Sequence, residues 1–199
     1  MPSNSKIKFD RSQALKAAMM VFWKKGYGGA SLSDLTEAMG INKPSMYATF
    51  GNKEVLFVKA TEHYVESVDL VHRQQLLAVE SDLPTRIKAY LSSVISGQCC
   101  ENTPKGCYIS LCVSEAEGEC IPQTAVAKIK EVSQFAYQAL VDVFTHDEEA
   151  KQRNLHVDAQ LHARFLITFL SGTAAMARAG TGQEALLPLV TQAMKGIGL

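Results

Sequence analysis

Residues 31–50 contain two short helical patterns that almost touch, and this spacing restricts the folds open to the chain. Ser31 precedes Asp34 by three positions, which is the spacing of a capping box that begins a helix. Gly40 can adopt the positive φ that ends this helix, and Asn42 can begin the next one. Two helices joined by so few residues must cross at a steep angle.

The side chains of the second helix divide into an inner and an outer set. Met46 and Phe50 are four residues apart and face inward, which leaves outward positions for Lys43, Ser45, Tyr47 and Thr49. An ammonium group and several hydroxyls suit contacts with phosphates and base edges. The pair therefore matches the helix-turn-helix plan, in which the second helix enters the major groove of DNA.

The rest of the chain also predicts helices. Prolines are few and lie at helix starts or in linkers, and few long alternating runs of β-branched residues occur between them. We expect helices at residues 10–25, 32–39, 43–50, 53–78, 84–99, 106–116, 123–144, 158–179 and 183–195. The connectors between the later helices fall at residues 103–106, 117–122 and 146–154. The predicted fold class is all-α.

The zero net charge of the chain conceals an uneven distribution. Residues 1–60 carry nine basic and four acidic side chains, a net charge of +5, and the remainder carries −5. A basic head on an acidic body indicates an anionic partner at one end. A disordered polyelectrolyte and a uniformly basic nucleic-acid coat are both excluded.

Several functional classes find no support in the sequence. No segment reaches the roughly 18 to 20 apolar residues of a membrane span, and the N-terminus lacks a secretory signal, so we expect a cytoplasmic protein with no membrane partner. The five cysteines are expected to be reduced thiols, and none forms a C-x-x-C pair suited to structural zinc. Because no phosphate loop, nucleophile elbow or zinc-protease motif occurs, we expect no cofactor, no metal and no enzymatic activity.

Residues 11–57 resemble the N-terminal domain of TetR-family transcriptional regulators. The positions that match the family pattern are Phe22, Tyr27, Ser31, Gly40, Ile41, Tyr47, Phe50, Lys53, Glu54 and Leu56. Thr36 departs from the usual alanine, and Pro44 with Ser45 replaces a small residue followed by glycine. Both departures are compatible with the fold, because Thr36 is small and proline is tolerated in the first turn of a helix.

The resemblance implies a homodimeric regulator, most often a repressor, that binds a palindromic operator and is released by a small-molecule effector. It divides the chain into a three-helix DNA-binding domain at residues 1–54 and an α-helical effector-binding and dimerisation domain at residues 55–199, joined by a long helix. In the family, the tyrosine and lysine that match Tyr47 and Lys53 typically hold phosphates. The predicted DNA-binding residues are Ser31, Ser33, Lys43, Pro44, Ser45, Tyr47, Thr49 and Lys53.

Two further residue sets are candidates for dimer contacts and for an effector pocket. Closely spaced apolar and small residues on the last helices predict a dimer interface, or else the core of the domain itself, and these residues are Phe165, Phe169, Gly172, Leu186, Val190 and Met194. Apolar and aromatic residues on the middle helices predict the pocket, and these are Tyr64, Tyr90, Cys107, Tyr108, Leu111, Phe135 and Phe169, with Val68 and Val94. This largely apolar set favours an uncharged or aromatic effector.

Two alternatives to release by a bound ligand remain open. Cys107 lies at an expected helix N-terminus next to Lys105, where the helix dipole and the ammonium group would favour the thiolate. An oxidant-sensing or electrophile-sensing repressor would use this thiol, and any disulfide would involve Cys99, Cys100 or Cys120. In a different class, a small all-α enzyme or ligand carrier would show no salt-dependent affinity for DNA.

Overall fold

The computed structural model describes residues 10–116 and 121–199, and every regular element in these two stretches is helical. The elements in chain order are α1 (Arg11–Gly29), α2 (Leu32–Met39), α3 (Lys43–Phe50), α4 (Lys53–Tyr64), α5 (Leu70–Arg73), α6 (Leu83–Gln98), α7 (Tyr108–Ala116), α8 (Gln123–Ser133), α9 (Phe135–His146), α10 (Glu148–Gln152), α11 (Ala159–Arg178), α12 (Gln183–Leu186) and α13 (Leu189–Gly196). The all-α prediction is confirmed. No helix in the described stretches is long and apolar enough to cross a bilayer.

Local capping accounts for the three helices of the head, α1 to α3. The carboxylate of Asp10 accepts hydrogen bonds from two amides of the first turn of α1. Ser31 and Asp34 form the expected capping box of α2, and Gly40 ends that helix at a φ of 65°. Asn42 caps α3 by accepting from the amide of Ser45 at 2.8 Å. Because each end is defined by its own side chains, α2 and α3 have the predicted bounds.

The end of α1 contains a glycine in a conformation that few other residues adopt. Gly26 has a φ of 73° and a ψ of 174°, so the regular helix stops there, as predicted, although one further turn follows. The amide of Tyr27 then donates to Oε2 of Glu115 on α7 at 2.8 Å. Helix α7 is thereby attached to the end of α1 by a hydrogen bond as well as by packing.

An aromatic cluster joins the head to the body, by which we mean the helices from α4 to α13. The ring of Phe22 meets Phe57 edge-on at a centroid distance of 5.1 Å, and Trp23 meets Tyr64 in the same way at 5.2 Å. Tyr108 from α7 packs against Tyr64 at 5.0 Å and is fully buried. The same core includes residues of α7 and α8, so the packing crosses the predicted boundary between residues 54 and 55. The division of the chain at this boundary into a DNA-binding and an effector-binding domain remains a prediction.

The predicted helix at residues 53–78 is realised as one helical path with changing pitch. Helix α4 continues through a π-helical segment, Val65–Asp69, then α5, then a 3-10 segment, Gln74–Leu77. The π segment places Val68 and Asp69 beside the cavity described below. Nothing in the sequence signals this change, because the segment contains neither glycine nor proline.

Three other predicted elements differ from the structure. The helix expected at residues 123–144 is broken at Gln134, because α8 packs on α4 and α7 whereas α9 packs on α11. The helix expected at residues 183–195 is broken around Pro188, which has no N–H to donate. The expected connector at residues 146–154 contains α10, whose first amides donate to Asp147. Expectations that involve residues 1–9 and 117–120, including Lys6, Lys8 and Cys120, lie outside the described residues.

Candidate nucleic-acid interface and effector cavity

Helix α3 presents one polar face to solvent and one apolar face to the core. Met46 and Phe50 are completely buried. Lys43, Pro44, Ser45 and Tyr47 are exposed, with 47% of Tyr47 accessible, and Thr49 is half-buried at the edge. The two faces therefore divide as the sequence predicts, and α3 offers a continuous polar surface of the width that a DNA groove admits.

The start of α2 borders this polar surface. Ser31 and Ser33 are both exposed. The hydroxyl of Ser31 donates to Oδ2 of Asp34 at 2.8 Å and accepts from the Asp34 amide, so it already has a capping role. Lys25 donates to Asp34 at 2.6 Å, and this contact, with those from Ser31, lowers the pKa of Asp34 to about 2. The hydroxyl of Ser33 forms no hydrogen bond with the described residues, so it is more available than that of Ser31 for a contact with DNA.

Lys53 lies at the first turn of α4, beside the polar face of α3. Its ammonium nitrogen is 4.4 Å from the centre of the Tyr27 ring, a cation-π contact that holds the side chain across the end of α1. Partial burial lowers the pKa of Lys53, while the nearby carboxylate of Glu115 raises it. Lys53 is therefore a positioned cation rather than a freely moving surface lysine.

Sequence reasoning missed two further cations near α3. Nζ of Lys59 donates to the carbonyl of Phe50, the last residue of the helix, at 3.1 Å. The guanidinium of Arg11 lies 5.6 Å from the centre of the Phe50 ring. Both residues lie outside the helix-turn-helix pair in the sequence, so the pattern of that pair gives no signal for them.

A cavity of about 540 Å³ lies behind the head, enclosed by parts of α1, α4, α6, α7, α8 and α11. This volume is within the range of small-molecule sites, about 300 to 1,000 Å³. Of the predicted pocket residues, the lining includes Tyr64, Val68, Tyr90, Val94, Cys107 and Leu111. Trp23, His72 and Arg178 also line it and were not among the predicted residues.

Three predicted pocket residues do not line the cavity, which corrects their assignment to the pocket. Tyr108 is buried in the aromatic cluster, where its hydroxyl lies 2.9 Å from the hydroxyl of Thr61. Phe135 lies at the start of α9 beneath the guanidinium of Arg73. Phe169, on α11, packs instead against the hydrophobic core that α11 shares with α6, α9 and α13. Helical periodicity indicates a buried face but not which neighbour covers it.

Most polar groups of the cavity wall have partners inside the protein. Oδ2 of Asp69 forms an ion pair with Arg73 at 2.6 Å. Nδ1 of His72 lies 2.7 Å from Oγ of Ser93, and burial lowers the pKa of the imidazole, which favours its neutral form. Among the described residues no cluster of three or more histidine, cysteine, aspartate or glutamate side chains could hold a metal ion.

The thiol of Cys107 lies in the cavity wall immediately before α7. Its sulfur is 3.7 Å from the hydroxyl of Tyr64. Lys105, which the sequence argument placed as the cation that favours a thiolate, instead donates to the carbonyl of Cys99. That part of the argument is therefore wrong, because the ammonium group is engaged elsewhere. Cys112, one turn further along α7, is completely buried.

The predicted dimer residues divide between an exposed face and the protein interior. Leu186, Val190 and Met194 are buried in the core of the body, which corrects their assignment to an interface. Their four-residue spacing places them on one face, and that face packs toward α6. Phe165 and Gly172 are exposed on α11, and Phe169 is half-buried.

The exposed face of α11 carries more apolar surface than the sequence argument recognised. Leu161 is 65% exposed, Phe165 42% and Met176 45%, and Leu189 of α13 is also partly exposed. Residues 161, 165, 172 and 176 follow the spacing of one helical face. We call this exposed apolar surface the α11 face, and apolar surfaces of this kind are typical of sites of protein association.

Comparisons with known proteins agree on one family. Residues 14–60 match the sequence model described as "Bacterial regulatory proteins, tetR family". The HTH-type transcriptional repressor ComR of Escherichia coli K12 is 30% identical over 185 residues, which cover 91% of this chain and 85% of ComR. The HTH-type transcriptional repressor BdcR of the same organism is 41% identical over 58 residues, 29% of each chain.

The structural comparison extends this similarity to the body. A cysteine mutant of the TetR family transcriptional regulator CifR, complexed with 26-bp double-strand operator DNA, superimposes with a TM-score of 0.83. The two sequences are 29% identical, and the alignment covers 98% of each chain. The similarity therefore spans the head, the cavity and the α11 face together.

Proposed function

This chain belongs to the TetR family of bacterial transcriptional regulators and is a DNA-binding repressor; from that premise we propose that it binds a palindromic operator as a homodimer and releases it when a small molecule occupies the cavity. The polar face of α3, mounted on a completely buried Met46 and Phe50, is the observation that carries the proposal. The protein would act in the cytoplasm, where chromosomal operators lie. The family is one of regulators, so the enzyme and carrier alternatives have no support.

The proposed contacts divide between phosphates and bases. Tyr47 and Lys53 would bind phosphates, since both lie at the edge of α3 and Lys53 is held in place by Tyr27. The start of α3 would approach base edges through Lys43 and Ser45. The remaining proposed contact residues are Ser31, Ser33, Pro44 and Thr49.

Two identical half-sites require two heads, and the α11 face is the surface proposed to join them. A two-fold dimer places the same patch of each protomer against its partner, so a single apolar face is sufficient. In this proposal residues 1–54 bind DNA, and residues 55–199 bind the effector and form the dimer.

Fluorescence anisotropy with the duplex that flanks the protein's own gene tests the proposal. We expect tight binding that saturates at one dimer per palindrome and weakens steeply as salt is raised, because phosphate contacts release counterions. A scrambled duplex should bind far more weakly. Equal, weak binding to every genomic fragment would contradict operator recognition by this protein.

Tyr47→Phe and Lys53→Ala are expected to weaken operator binding in different ways. Tyr47→Phe removes a hydrogen bond to a phosphate from each protomer, so affinity should fall about tenfold or more. Lys53→Ala should weaken binding to all sequences and reduce the salt slope by about two per dimer, one phosphate contact for each protomer. Titrations at several salt concentrations measure both effects.

Lys151→Ala is the matched control for these variants, because Lys151 is a cation of the body that pairs with Glu148. It should leave both the affinity and the salt slope unchanged. Wild-type affinity and slope in Tyr47→Phe and Lys53→Ala would refute the assignment of these two residues to phosphates.

Thiol-based release is a second candidate, favoured by the position of the Cys107 sulfur in the cavity wall. An electrophile that reaches the cavity would attach to this sulfur and occupy the space of an effector. We expect N-ethylmaleimide to release the operator from the wild-type protein and to have little effect on Cys107→Ser. Cys100→Ser is the control, because Cys100 is half-buried outside the cavity and should leave the response intact. A Cys107→Ser protein that still responds would end this hypothesis.

A further inference from the structure

We propose that the effector is a small amphipathic anion, a carboxylate on an apolar body, whose carboxylate is bound by Arg178. The inference rests on the proposed function, since it assigns a chemical class to the ligand of the same cavity. It differs from the expectation of an uncharged effector, because the sequence argument did not place Arg178 in the cavity wall.

The lining of the cavity combines polar residues with aromatic and apolar ones. The polar lining residues of α7 and α11, which we call the α7/α11 corner, are Ser110, Ser114, Ser171 and Arg178. The aromatic and apolar lining residues include Trp23, Tyr64, Val68, Tyr90, Val94 and Leu111, and the other polar ones are Asp69, His72, Gln98 and Ser133. Such a mixed lining fits a ligand with one polar group and one apolar body.

Among the described residues, the charges of the lining leave one cation whose side chain has no partner. Asp69 and Arg178 are the two residues with formal charges among the described lining residues, and Asp69 is neutralised by its ion pair with Arg73. The side chain of Arg178 forms no hydrogen bond, ion pair or ring contact with any residue in the stretches 10–116 and 121–199, and its charge acts only at longer range, on the thiol of Cys112. The unbalanced charge of the wall is therefore positive, and it lies at the α7/α11 corner.

The backbone beside Arg178 fixes where its charge lies. Gly106 has a φ of 83°, and a Cβ there would lie 2.8 Å from the carbonyl oxygen of Ala174 and 3.3 Å from Nε of Arg178. The absence of a side chain at Gly106 thus lets α11 and the arginine pack directly on the segment that precedes Cys107. Arg178 is exposed and lines both the cavity and an outer groove, so the residue lies where the two meet.

This position suits a carboxylate. A charged group at the mouth of the cavity keeps part of its hydration, so binding avoids most of the cost of burying an ion. The planar guanidinium can donate two parallel hydrogen bonds to a carboxylate. The hydroxyls of Ser110 and Ser171 can donate others, whereas that of Ser114 already donates to the carbonyl of Ser110. The apolar body would then extend between the rings of Tyr64 and Tyr90.

A second observation indicates that the cavity is built for an occupant. Trp23 lines it, is only 2% exposed, and its buried Nε1 has no hydrogen-bond partner among the described residues. An unsatisfied buried N–H destabilises a protein, and a ligand oxygen or an ordered water that accepts from it would remove that cost. The hydroxyl of Tyr90 in the same wall keeps its proton, because burial raises the pKa of Tyr90, and it can donate as well.

The sole tryptophan of the chain provides the test, because Trp23 lines the cavity. Trp23 fluorescence is titrated with phenylbutyrate, phenylbutanol and phenylbutylamine, which share one apolar body and carry a negative, a neutral and a positive group. We expect saturable binding of phenylbutyrate with a Kd about tenfold below that of the alcohol, and weaker binding of the amine. Raised salt should reduce the preference for the carboxylate.

Arg178→Gln is expected to abolish this preference while leaving the affinity for phenylbutanol unchanged. Arg153→Gln is the control, since Arg153 pairs with Glu149 on α10 and lies outside the cavity. Equal affinity for carboxylate and alcohol, a preference that persists in Arg178→Gln, or failure of the carboxylate to bind would each overturn the proposal. The assay contains no DNA, so a protein that binds its operator but prefers the alcohol contradicts only the anion proposal. A protein that binds the carboxylate but no operator contradicts only the proposed function.

Discussion

Phe165→Glu is expected to dissociate the proposed dimer and to lower operator affinity by about a hundredfold or more. The ring of Phe165 lies at the centre of the α11 face, where Leu161 and Met176 are also exposed. In a two-fold interface the substitution places two carboxylates of like charge in one apolar contact. A monomer then places one recognition helix in one half-site, and the binding free energy of the second helix at the second half-site is lost.

Sedimentation velocity measures the dissociation, and anisotropy measures the loss of operator binding. The inner edge of the Phe165 ring lies against Gly196, so a thermal melt must show that the variant protomer remains folded. Val79→Glu is the matched control, because Val79 is 81% exposed and lies away from α11. A folded Phe165→Glu protein that stays dimeric would place the interface on another surface.

Gly26→Ala is expected to destabilise the protein by about 3 kcal/mol. The combination of a φ of 73° and a ψ of 174° is essentially restricted to glycine, and forcing alanine into it costs about 1 to 3 kcal/mol. A Cβ at this position would also lie 2.0 Å from Oε1 of Glu115, so the carboxylate must leave. Its departure breaks the hydrogen bond from the Tyr27 amide, which adds to the loss.

Urea unfolding at a fixed protomer concentration measures the effect, since the stability of a dimer depends on concentration. Gly29→Ala is the control: Gly29 has no positive φ, and a Cβ there meets only Cβ of Lys25 at 3.6 Å. The effect of Gly26→Ala in a Glu115→Ala background isolates the backbone strain, because Glu115→Ala alone has already removed both the clash and the hydrogen bond from the Tyr27 amide. Equal stability of the Gly26→Ala and Gly29→Ala proteins would show that the end of α1 relaxes freely.

The parts of the fold that depend on local signals could be predicted from the sequence. Helices α2 and α3 have the predicted bounds, because Ser31, Gly40 and Asn42 define their ends through contacts within three or four residues. The break at Gln134 could not be predicted in this way. It arises because α8 and α9 pack on different partners, and that information is absent from a local pattern.

The candidate sites show the same limit. The outward face of α3 followed from its spacing, but Leu186 and Val190 were assigned to an interface although they are core residues. A periodic apolar pattern identifies a buried face of a helix, but it does not show whether that face is buried by the same chain or by a partner. Arg178 had a signal, since it is the one charged residue in a run of small and apolar residues that ends α11. That its side chain has no partner within residues 10–116 and 121–199 is visible only in the three-dimensional structure.

The aromatic cluster that links α1, α4 and α7 has a consequence for how operator specificity can change. A chimaera made by exchanging residues 1–54 between two relatives would separate Phe22 and Trp23 from Phe57, Tyr64 and Tyr108, their ring partners. Recombination at this point would therefore produce mismatched cores rather than new regulators. The outward side chains of α3 take no part in the cluster. New operators are thus accessible by point substitutions on that surface, and a transplanted head must bring α4 and α7 with it.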